Sequence, residues 1–214
     1  MILGPPEPVE IALPEPVRSG EREVIDLGEV AGARGGQRTR WWRFGGVKPP
    51  VFTVGPVELQ LRRSEVLWLQ GTNGSGKTTL LRAMAGLDGA PAPKVAVSLM
   101  LQRPEDQVVA STVGEFVGDA TAVGRLGLDA EEHPLDLQAA KLRLAQAASV
   151  FAQEREVVLL DEPDVGLDDS ARAEFHAILA GALRAGRAVV VTCHDSAFMG
   201  EVVKSAGVVY LPFR

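Results

Sequence analysis

A glycine-rich run that ends in Lys-Thr contains the residues best suited to chemistry in this chain. It occupies positions 71–78 and matches the P-loop pattern, in which glycines at the first and sixth positions are followed by lysine and threonine. The run consists of Gly71, Thr72, Asn73, Gly74, Ser75, Gly76, Lys77 and Thr78. Its glycines allow backbone N–H groups to curl around phosphate oxygens at the start of a helix, and Lys77 reaches the outer phosphates. The run predicts a phosphate site; the alternative is a glycine-rich turn that only precedes an ordinary helix.

Oxygen ligands for Mg²⁺ and a candidate general base occur at two places in the sequence. The hydroxyl of Thr78 can bind the metal, and Thr79 completes the predicted nucleotide-binding set. An apolar run at 157–160 ends in the carboxylate pair Asp161 and Glu162. We predict that Asp161 holds Mg²⁺ through water and that Glu162 orients and polarises an attacking water. The alternative for this pair, taken alone, is a solvated turn, because acidic residues often begin turns.

The elements that must position these residues are short apolar runs alternating with helical patterns. The apolar runs lie at 66–69, 95–101, 157–160, 188–193 and 208–211, and the helical patterns at 78–87, 138–153 and 170–185. Alternating strands and helices predict an α/β fold with a largely parallel sheet covered on both faces. The run at 66–69 leads almost directly into the glycines, so the P-loop is predicted to join a central strand to a helix.

The N-terminal region has a different composition. The first 20 residues contain five prolines, which disfavour a packed helix and indicate an extended or edge-strand opening. Residues 31–48 are rich in glycine and arginine, contain no acidic residue and are predicted to form a loop. We therefore divide the chain into an N-terminal region at 1–43 and a main domain at 44–214. Residues 57–61 alternate in the manner of a half-buried strand.

Composition limits the classes of partner and the compartment. The formal net charge of −6 and a pI near 5.2 disfavour attraction of the whole surface to nucleic acid, so no nucleic-acid partner is expected. Cys193 is the only cysteine, which excludes an intrachain disulfide, and the N-terminus lacks the pattern of a secretory signal. The longest apolar runs are far shorter than the roughly 20 residues needed to span a bilayer. We expect a cytoplasmic protein that reaches a membrane only through a partner.

The P-loop and the carboxylate pair, with three smaller matches, resemble the ATPase subunits of ABC transporters over residues 44–211. Gln102 follows the strand at 95–101 and resembles the Q-loop glutamine, which senses Mg²⁺ and the γ-phosphate. Residues 164–168 resemble the D-loop, a contact across a nucleotide-sandwich dimer. His194 resembles the switch histidine, which bonds the γ-phosphate; the alternative for a lone histidine after a strand is a structural or surface role.

The resemblance implies a fold, a cofactor and a set of roles. The fold is a P-loop NTPase of the ABC type, with an antiparallel N-terminal β part and a small, shortened helical subdomain at about 103–148. ATP and Mg²⁺ are the implied ligands. The implied catalytic residues are Glu162, His194 and Gln102, and the implied metal ligands are Thr78, Gln102 and Asp161.

Residues 102–113 resemble one class within this family. Their sequence is similar to the segment after the Q-loop in energy-coupling factor transporter ATPases. The alternative is a polar loop followed by a helix cap at Ser111 or Thr112.

The family places an adenine-stacking aromatic residue before its first long strand. Phe44 is our choice, with Trp42 and Trp41 close by, because aromatic faces stack on any base. The alternative is that this cluster packs on the domain edge or contacts another chain.

The family's signature loop, Leu-Ser-Gly-Gly-Gln, is absent from this chain. Counting back from Asp161 places Leu137, Gln138, Ala139, Ala140 and Lys141 there, and the register that aligns Arg143 with the family's arginine shifts the window to 136–140. In the first register a bulky amide replaces the serine hydroxyl, and alanines, which resist positive φ, replace glycines. The loop is therefore expected to serve the ATP of a partner subunit poorly.

Together these patterns predict an ATPase that couples dimer closure to transport by membrane partner subunits, at the cytoplasmic face of the membrane. The P-loop and the catalytic residues are present but the signature loop is not, and this difference favours a heterodimer with a second ABC ATPase over a homodimer. One alternative is a weakly hydrolysing, nucleotide-dependent scaffold or regulatory subunit. A soluble ABC ATPase of DNA repair or translation is disfavoured because the chain has neither a long coiled-coil insertion nor a second ATPase domain.

Overall fold

The structure is a computed structural model that describes residues 23–35, 52–203 and 207–212. Its strands are β1 (Val24–Arg34), β2 (Phe52–Arg62), β3 (Glu65–Gln70), β4 (Val97–Met100), β5 (Val157–Asp161), β6 (Ala188–Thr192) and β7 (Gly207–Pro212). Its α-helices are α1 (Lys77–Met84), α2 (Val113–Val117), α3 (Ala120–Arg125), α4 (Ala139–Ala152), α5 (Asp169–Arg184) and α6 (Ser196–Val203).

A five-stranded parallel sheet in the order β4-β5-β6-β3-β7 forms the centre of the fold. Its inner strands are continuous apolar runs because helices cover both faces, and every residue of β5 and β6 is buried. In the register, Thr192 of β6 pairs with both Leu69 of β3 and Asp161 of β5. The carboxyl ends of three strands therefore meet at one edge of the sheet. The predicted α/β fold with a parallel sheet is confirmed.

The antiparallel part consists of β1 and β2, with register shifts near Asp26 and Val30. Strand β1 lies against α1, and a Cβ on Gly32 would come within 2.8 Å of the Thr79 carbonyl oxygen, so only glycine allows this approach. The loop predicted from residue 31 was wrong in part, because β1 continues to Arg34.

Helix α4 belongs to two hydrophobic cores. Leu144, Ala147 and Phe151 pack with α5 and the sheet, whereas Leu142 and Ala145 pack with α2 and α3. The small helical part, which includes α2 and α3, is thus attached to the sheet through α4, and α4 is buried along most of its length. Within the described residues, no helix is long and apolar enough to cross a membrane.

Candidate functional site

The loop at 71–76 connects β3 to α1 at the carboxyl edge of the sheet. Gly74 and Gly76 have φ angles of 80° and 105°, in the left-handed region that favours glycine. A Cβ on Gly76 would lie 3.0 Å from Cε1 of Phe52 and 3.1 Å from Val54, so the loop is also pressed against β2. Gly76 is the N-cap of α1, and neither a capping side chain nor an acidic residue occupies the first turn. The N–H groups of this turn can therefore receive an anion.

The side chain of Lys77 folds back toward the first residues of this loop. This side chain is buried, and Nζ donates hydrogen bonds to the carbonyl oxygens of Gly71 (2.8 Å) and Thr72 (3.1 Å). The hydroxyl of Ser75 is buried without a hydrogen-bond partner among the described residues, whereas Thr72 and Asn73 are exposed. A cation and an unpaired hydroxyl inside a glycine loop fit a phosphate group. Thr79, in contrast, is buried with its methyl group facing Gly32.

Asp161 ends β5 with only 2% of its surface exposed. Its Oδ1 accepts hydrogen bonds from the hydroxyls of Thr78 (3.1 Å) and Thr192 (2.8 Å). Burial raises the pKa of the Asp161 carboxyl, and the two threonine hydrogen bonds oppose this effect. A carboxylate beside a hydroxyl is an oxygen donor set that suits Mg²⁺, which usually takes few protein ligands and completes its shell with phosphates and water.

Glu162 meets Gln102 and His194 immediately after this strand. Its Oε2 accepts a 2.7 Å hydrogen bond from Nε2 of Gln102, and its Oε1 lies 3.5 Å from Nε2 of His194. The backbone of Glu162 has φ of 48°, and its N–H donates to both the carbonyl and the hydroxyl oxygen of Thr192. A left-handed non-glycine residue costs on the order of 1–3 kcal/mol and often marks a functional site. The structure thus brings the three predicted catalytic side chains together.

Arg143 is a buried residue of the site. In the sequence it was considered only as a marker for aligning the signature loop, and no role was predicted for it. Its guanidinium donates to the carbonyl oxygens of Leu101 (3.1 Å), Gln102 (2.9 Å), Glu162 and Pro163 (3.4 Å). Burial lowers the pKa of Arg143 to about 10, while nearby carboxylates, Asp164 first among them, oppose the shift. One side chain of α4 therefore joins the Gln102 turn to the Glu162 turn.

Two glutamines extend this connection. Gln146 accepts a 2.9 Å hydrogen bond from Arg143 and donates to the carbonyl oxygen of Leu101 and to Oε1 of Gln107. Gln107 in turn pairs with backbone groups of Leu99 and Leu101. The signal that could have found this network is the i, i+3 pair of Arg143 and Gln146 within the otherwise apolar face of α4.

The segment that replaces the signature loop forms the start of α4. Gln138 is the N-cap, without a side-chain capping bond, and Ala139 begins the helix. Ala139 and Ala140 are helical, so the expected conflict between alanine and positive φ does not arise. Gln138 and Lys141 are both exposed. Phe44, Trp41 and Trp42 lie outside the described residues, so the adenine-stacking residue stays a prediction.

The chain is similar in sequence to known ATP-binding proteins. The sequence profile of the ABC transporter family matches residues 54–111. The energy-coupling factor transporter ATP-binding protein EcfA2 of Symbiobacterium thermophilum is 31% identical over 196 residues, which cover 74% of this chain and 67% of the relative. EcfA1 of Thermotoga maritima is 26% identical over 183 residues, covering 71% and 70%. Two putative ABC transporter ATP-binding proteins of Streptomyces coelicolor are 32% and 34% identical, and the match covers 62% and 31% of their lengths. One of Bifidobacterium longum is 28% identical, and the match covers 25% of its length.

A solved structure shows the same fold. The dimeric ATP-binding cassette in a post-hydrolysis state, bound to ADP and Pi, superposes with a TM-score of 0.64 and 17% sequence identity, covering 88% of this chain and 94% of that chain.

Proposed function

We propose, since this chain belongs to the family of ABC transporter ATP-binding proteins, that it binds Mg-ATP at the loop 71–78 and hydrolyses it to drive transport by membrane partner subunits. Members of this family are ATPases. The observation that carries the proposal is the convergence of Gln102, Glu162 and His194 beside the strand end that also bears Asp161.

The residues of the loop are proposed to bind the phosphates. N–H groups of the first turn of α1 donate hydrogen bonds to phosphate oxygens, and Lys77 exchanges its bonds to Gly71 and Thr72 for bonds to the outer phosphates. Thr78 and Asp161 would hold Mg²⁺, which supplies neutralisation of phosphate charge when bound. Phe44 is the proposed adenine contact.

Glu162 is proposed to orient the attacking water and polarise its O–H bond. His194 donates to the γ-phosphate, where negative charge accumulates during the reaction. Gln102 bonds one oxygen of Glu162 in this structure, and its amide is proposed to turn toward the metal and phosphate when nucleotide binds, so that a water takes its place. The turn of Gln102 would link hydrolysis to a movement of the helical part that follows it.

Partner subunits complete this proposal. Two ATPase subunits are proposed to close head to tail around two nucleotides, with the start of α4 facing the partner's ATP, and a membrane subunit is proposed to dock near Gln102 and the helical part. The chain would then work at the cytoplasmic face of a membrane. The names of the relatives support a transport role, since two of them are energy-coupling factor transporter ATP-binding proteins.

A weakly hydrolysing, nucleotide-dependent scaffold is a second candidate function. The observation that favours it is the exposed Gln138 at the N-cap of α4, a bulky amide where the two possible registers place a serine or a glycine of the family's signature loop. The helical N–H groups of Ala139 and Ala140 favour the enzyme instead, because backbone donors for phosphate are retained there.

The deciding experiment is phosphate release by the chain co-purified with its native ATPase and membrane partners. The ATPase proposal requires turnover that depends on Mg²⁺ and on Glu162 of this chain. Tight ATP binding with turnover that is indifferent to Glu162→Gln would support the scaffold function. Failure to bind ATP in any assembly would contradict both.

A further inference from the structure

A polar cluster links α5 to α6 directly beside His194. Arg172 and His176 are four residues apart on α5 and therefore share one face of that helix. Arg172 donates a 2.6 Å hydrogen bond from Nη2 to Oδ2 of Asp195, and its Nη1 lies 3.5 Å from Oε1 of Glu201. His176 makes a 2.8 Å contact from Nε2 to Oε2 of the same Glu201.

Asp195 uses both of its carboxylate oxygens. Oδ1 accepts the N–H groups of Ala197 (2.8 Å) and Phe198 (3.1 Å) at the start of α6, while Oδ2 accepts from Arg172. The hydrogen bond from the Phe198 backbone, with those from Ala197 and Arg172, lowers the pKa of Asp195 and keeps the carboxylate charged. The position of Asp195 is thus fixed from two sides.

Arg172 is itself held in place by packing. Its guanidinium lies over the buried ring of Phe198, with 5.7 Å between Cζ and the ring centroid. The imidazole of His176 stacks on the same ring, with centroids 4.7 Å apart. A guanidinium restrained in this way loses less freedom when it bonds a carboxylate.

His194 lies between two neighbours that are each held by a hydrogen bond from another element. Before it, the carbonyl oxygen of Cys193 accepts a 3.2 Å hydrogen bond from Nε1 of Trp68. After it, Asp195 is bound to Arg172. The His194 side chain is 44% exposed, yet its Nε2 reaches to within 3.5 Å of Glu162. The bonds of Cys193 and Asp195 therefore fix the backbone from which the His194 side chain reaches Glu162.

We infer that Arg172 is a positioning residue for His194, acting through Asp195. This inference rests on the proposed function, in which His194 contacts the γ-phosphate. Arg172 touches neither the loop 71–78 nor any proposed metal ligand through the contacts described. Its loss should therefore leave ATP binding intact and reduce the rate of the step that needs His194.

The kinetic test compares Arg172→Met with Arg184→Met, a matched control at the exposed last turn of the same helix, in the complex with the ATPase and membrane partners. Arg172→Met is expected to lower kcat about tenfold with less than about a twofold change in KM for ATP, because small misplacements of a reacting group are costly. Arg172→Lys, which keeps the charge, is expected to recover part of kcat. An unchanged kcat, or an equal loss in the control, would overturn the inference.

Epistasis with His194 separates positioning from general damage. In an His194→Ala background, Arg172→Met is expected to cause no further loss of kcat, because the group it positions is already absent. Independent, multiplicative losses would contradict the inference. If Arg172→Met does not fold, Asp195→Asn replaces it, since asparagine retains the helix cap but loses the ion pair.

A spectroscopic test works even if the complex has no turnover. The chain contains three histidines, His133, His176 and His194, so imidazole NMR resonances can be assigned by substitution. Arg172→Met is expected to shift the resonances of His194 and His176 while leaving those of exposed His133 in place. An unmoved His194 signal would disprove the positioning role. Absent turnover with a shifted His194 signal would contradict the proposed function alone.

Discussion

The side-chain amide of Gln102 donates a 2.7 Å hydrogen bond to Glu162 across 60 positions of sequence, and Arg143 binds the backbone carbonyl oxygens of both residues. Two connections therefore join the turn at Gln102 to the turn at Glu162. One is the side-chain hydrogen bond, which a bound nucleotide could break, and the other is the buried guanidinium of Arg143. Because Arg143 lies on the second turn of α4, we expect a movement of that helix to displace both turns together.

Glu162→Gln tests the general base. The variant is expected to bind ATP as the wild type does and to lower kcat by about 100-fold or more, since an amide keeps the shape of glutamate but polarises water poorly. Isothermal titration with ATP and steady-state phosphate release are the measurements. Glu174→Gln, on α5, serves as the control. Full turnover in Glu162→Gln would remove Glu162 from the catalytic role.

Lys77→Ala tests the phosphate loop. Removing the buried ammonium is expected to weaken ATP binding about 100-fold, which corresponds to about 2.7 kcal/mol, because charge-assisted hydrogen bonds to the outer phosphates are lost. The measurement is an ATP titration, and exposed Lys94→Ala is the matched control. An affinity equal to that of the control would refute the assignment of this loop.

Arg143→Met tests the buried connection. Methionine fills part of the space but removes the guanidinium donor from the carbonyl groups of Gln102 and Pro163 and from the amide oxygen of Gln146. The carbonyl groups of residues 101 and 162 each lose one of two donors. We expect the free energy of unfolding in urea to fall by about 3 kcal/mol, since buried unpaired polar groups are costly. Exposed Arg155→Met should change it by less than about 0.5 kcal/mol. Equal stability of the two variants would show that the network is dispensable for folding.

The sequence predicted the fold and the candidate site unevenly, for physical reasons. Strand β5 and its terminal Asp161 were predictable because an apolar run followed by acids is a local pattern. The role of Arg143 was not predictable, because its partners include backbone carbonyl groups 19 to 42 positions away and every residue type carries such a group. The continuation of β1 through Gly32 depends on a close approach to α1, which composition cannot show.

His176 predicts a dependence of stability on pH. Burial lowers the pKa of its imidazole from the ordinary value of 6.5, with Glu201 opposing and Arg172 reinforcing the shift. The unfolded chain therefore takes up a proton near pH 6.5 that the folded chain resists, so this contribution to stability is complete above that pH and is lost as the pH falls below it.

The measurement is the urea midpoint at pH 7.5 and at pH 5.5. His176→Gln is expected to be less stable than the wild type at pH 7.5, since it loses the stacking on Phe198, but to lose less on acidification. Identical acid losses in wild type and His176→Gln would show that other groups govern the dependence.

The exposed Gln138 at the start of α4 predicts an unequal dimer. In a head-to-tail sandwich with a partner that has an intact signature loop, the site built on Lys77 of this chain is competent, and the site built on the partner's P-loop faces Gln138. We therefore expect the purified chain alone to have low ATPase activity and the heterodimer to be at least about tenfold faster, a difference of about 1.4 kcal/mol in the barrier.

Within the heterodimer, Lys77→Ala should abolish most turnover, whereas alanine at the partner's corresponding lysine should reduce turnover much less. Sedimentation of the chain with and without its partner gives the oligomeric state. A homodimer of full activity, unimproved by a partner, or equal losses from the two lysine variants, would show that Gln138 leaves the partner-facing site intact.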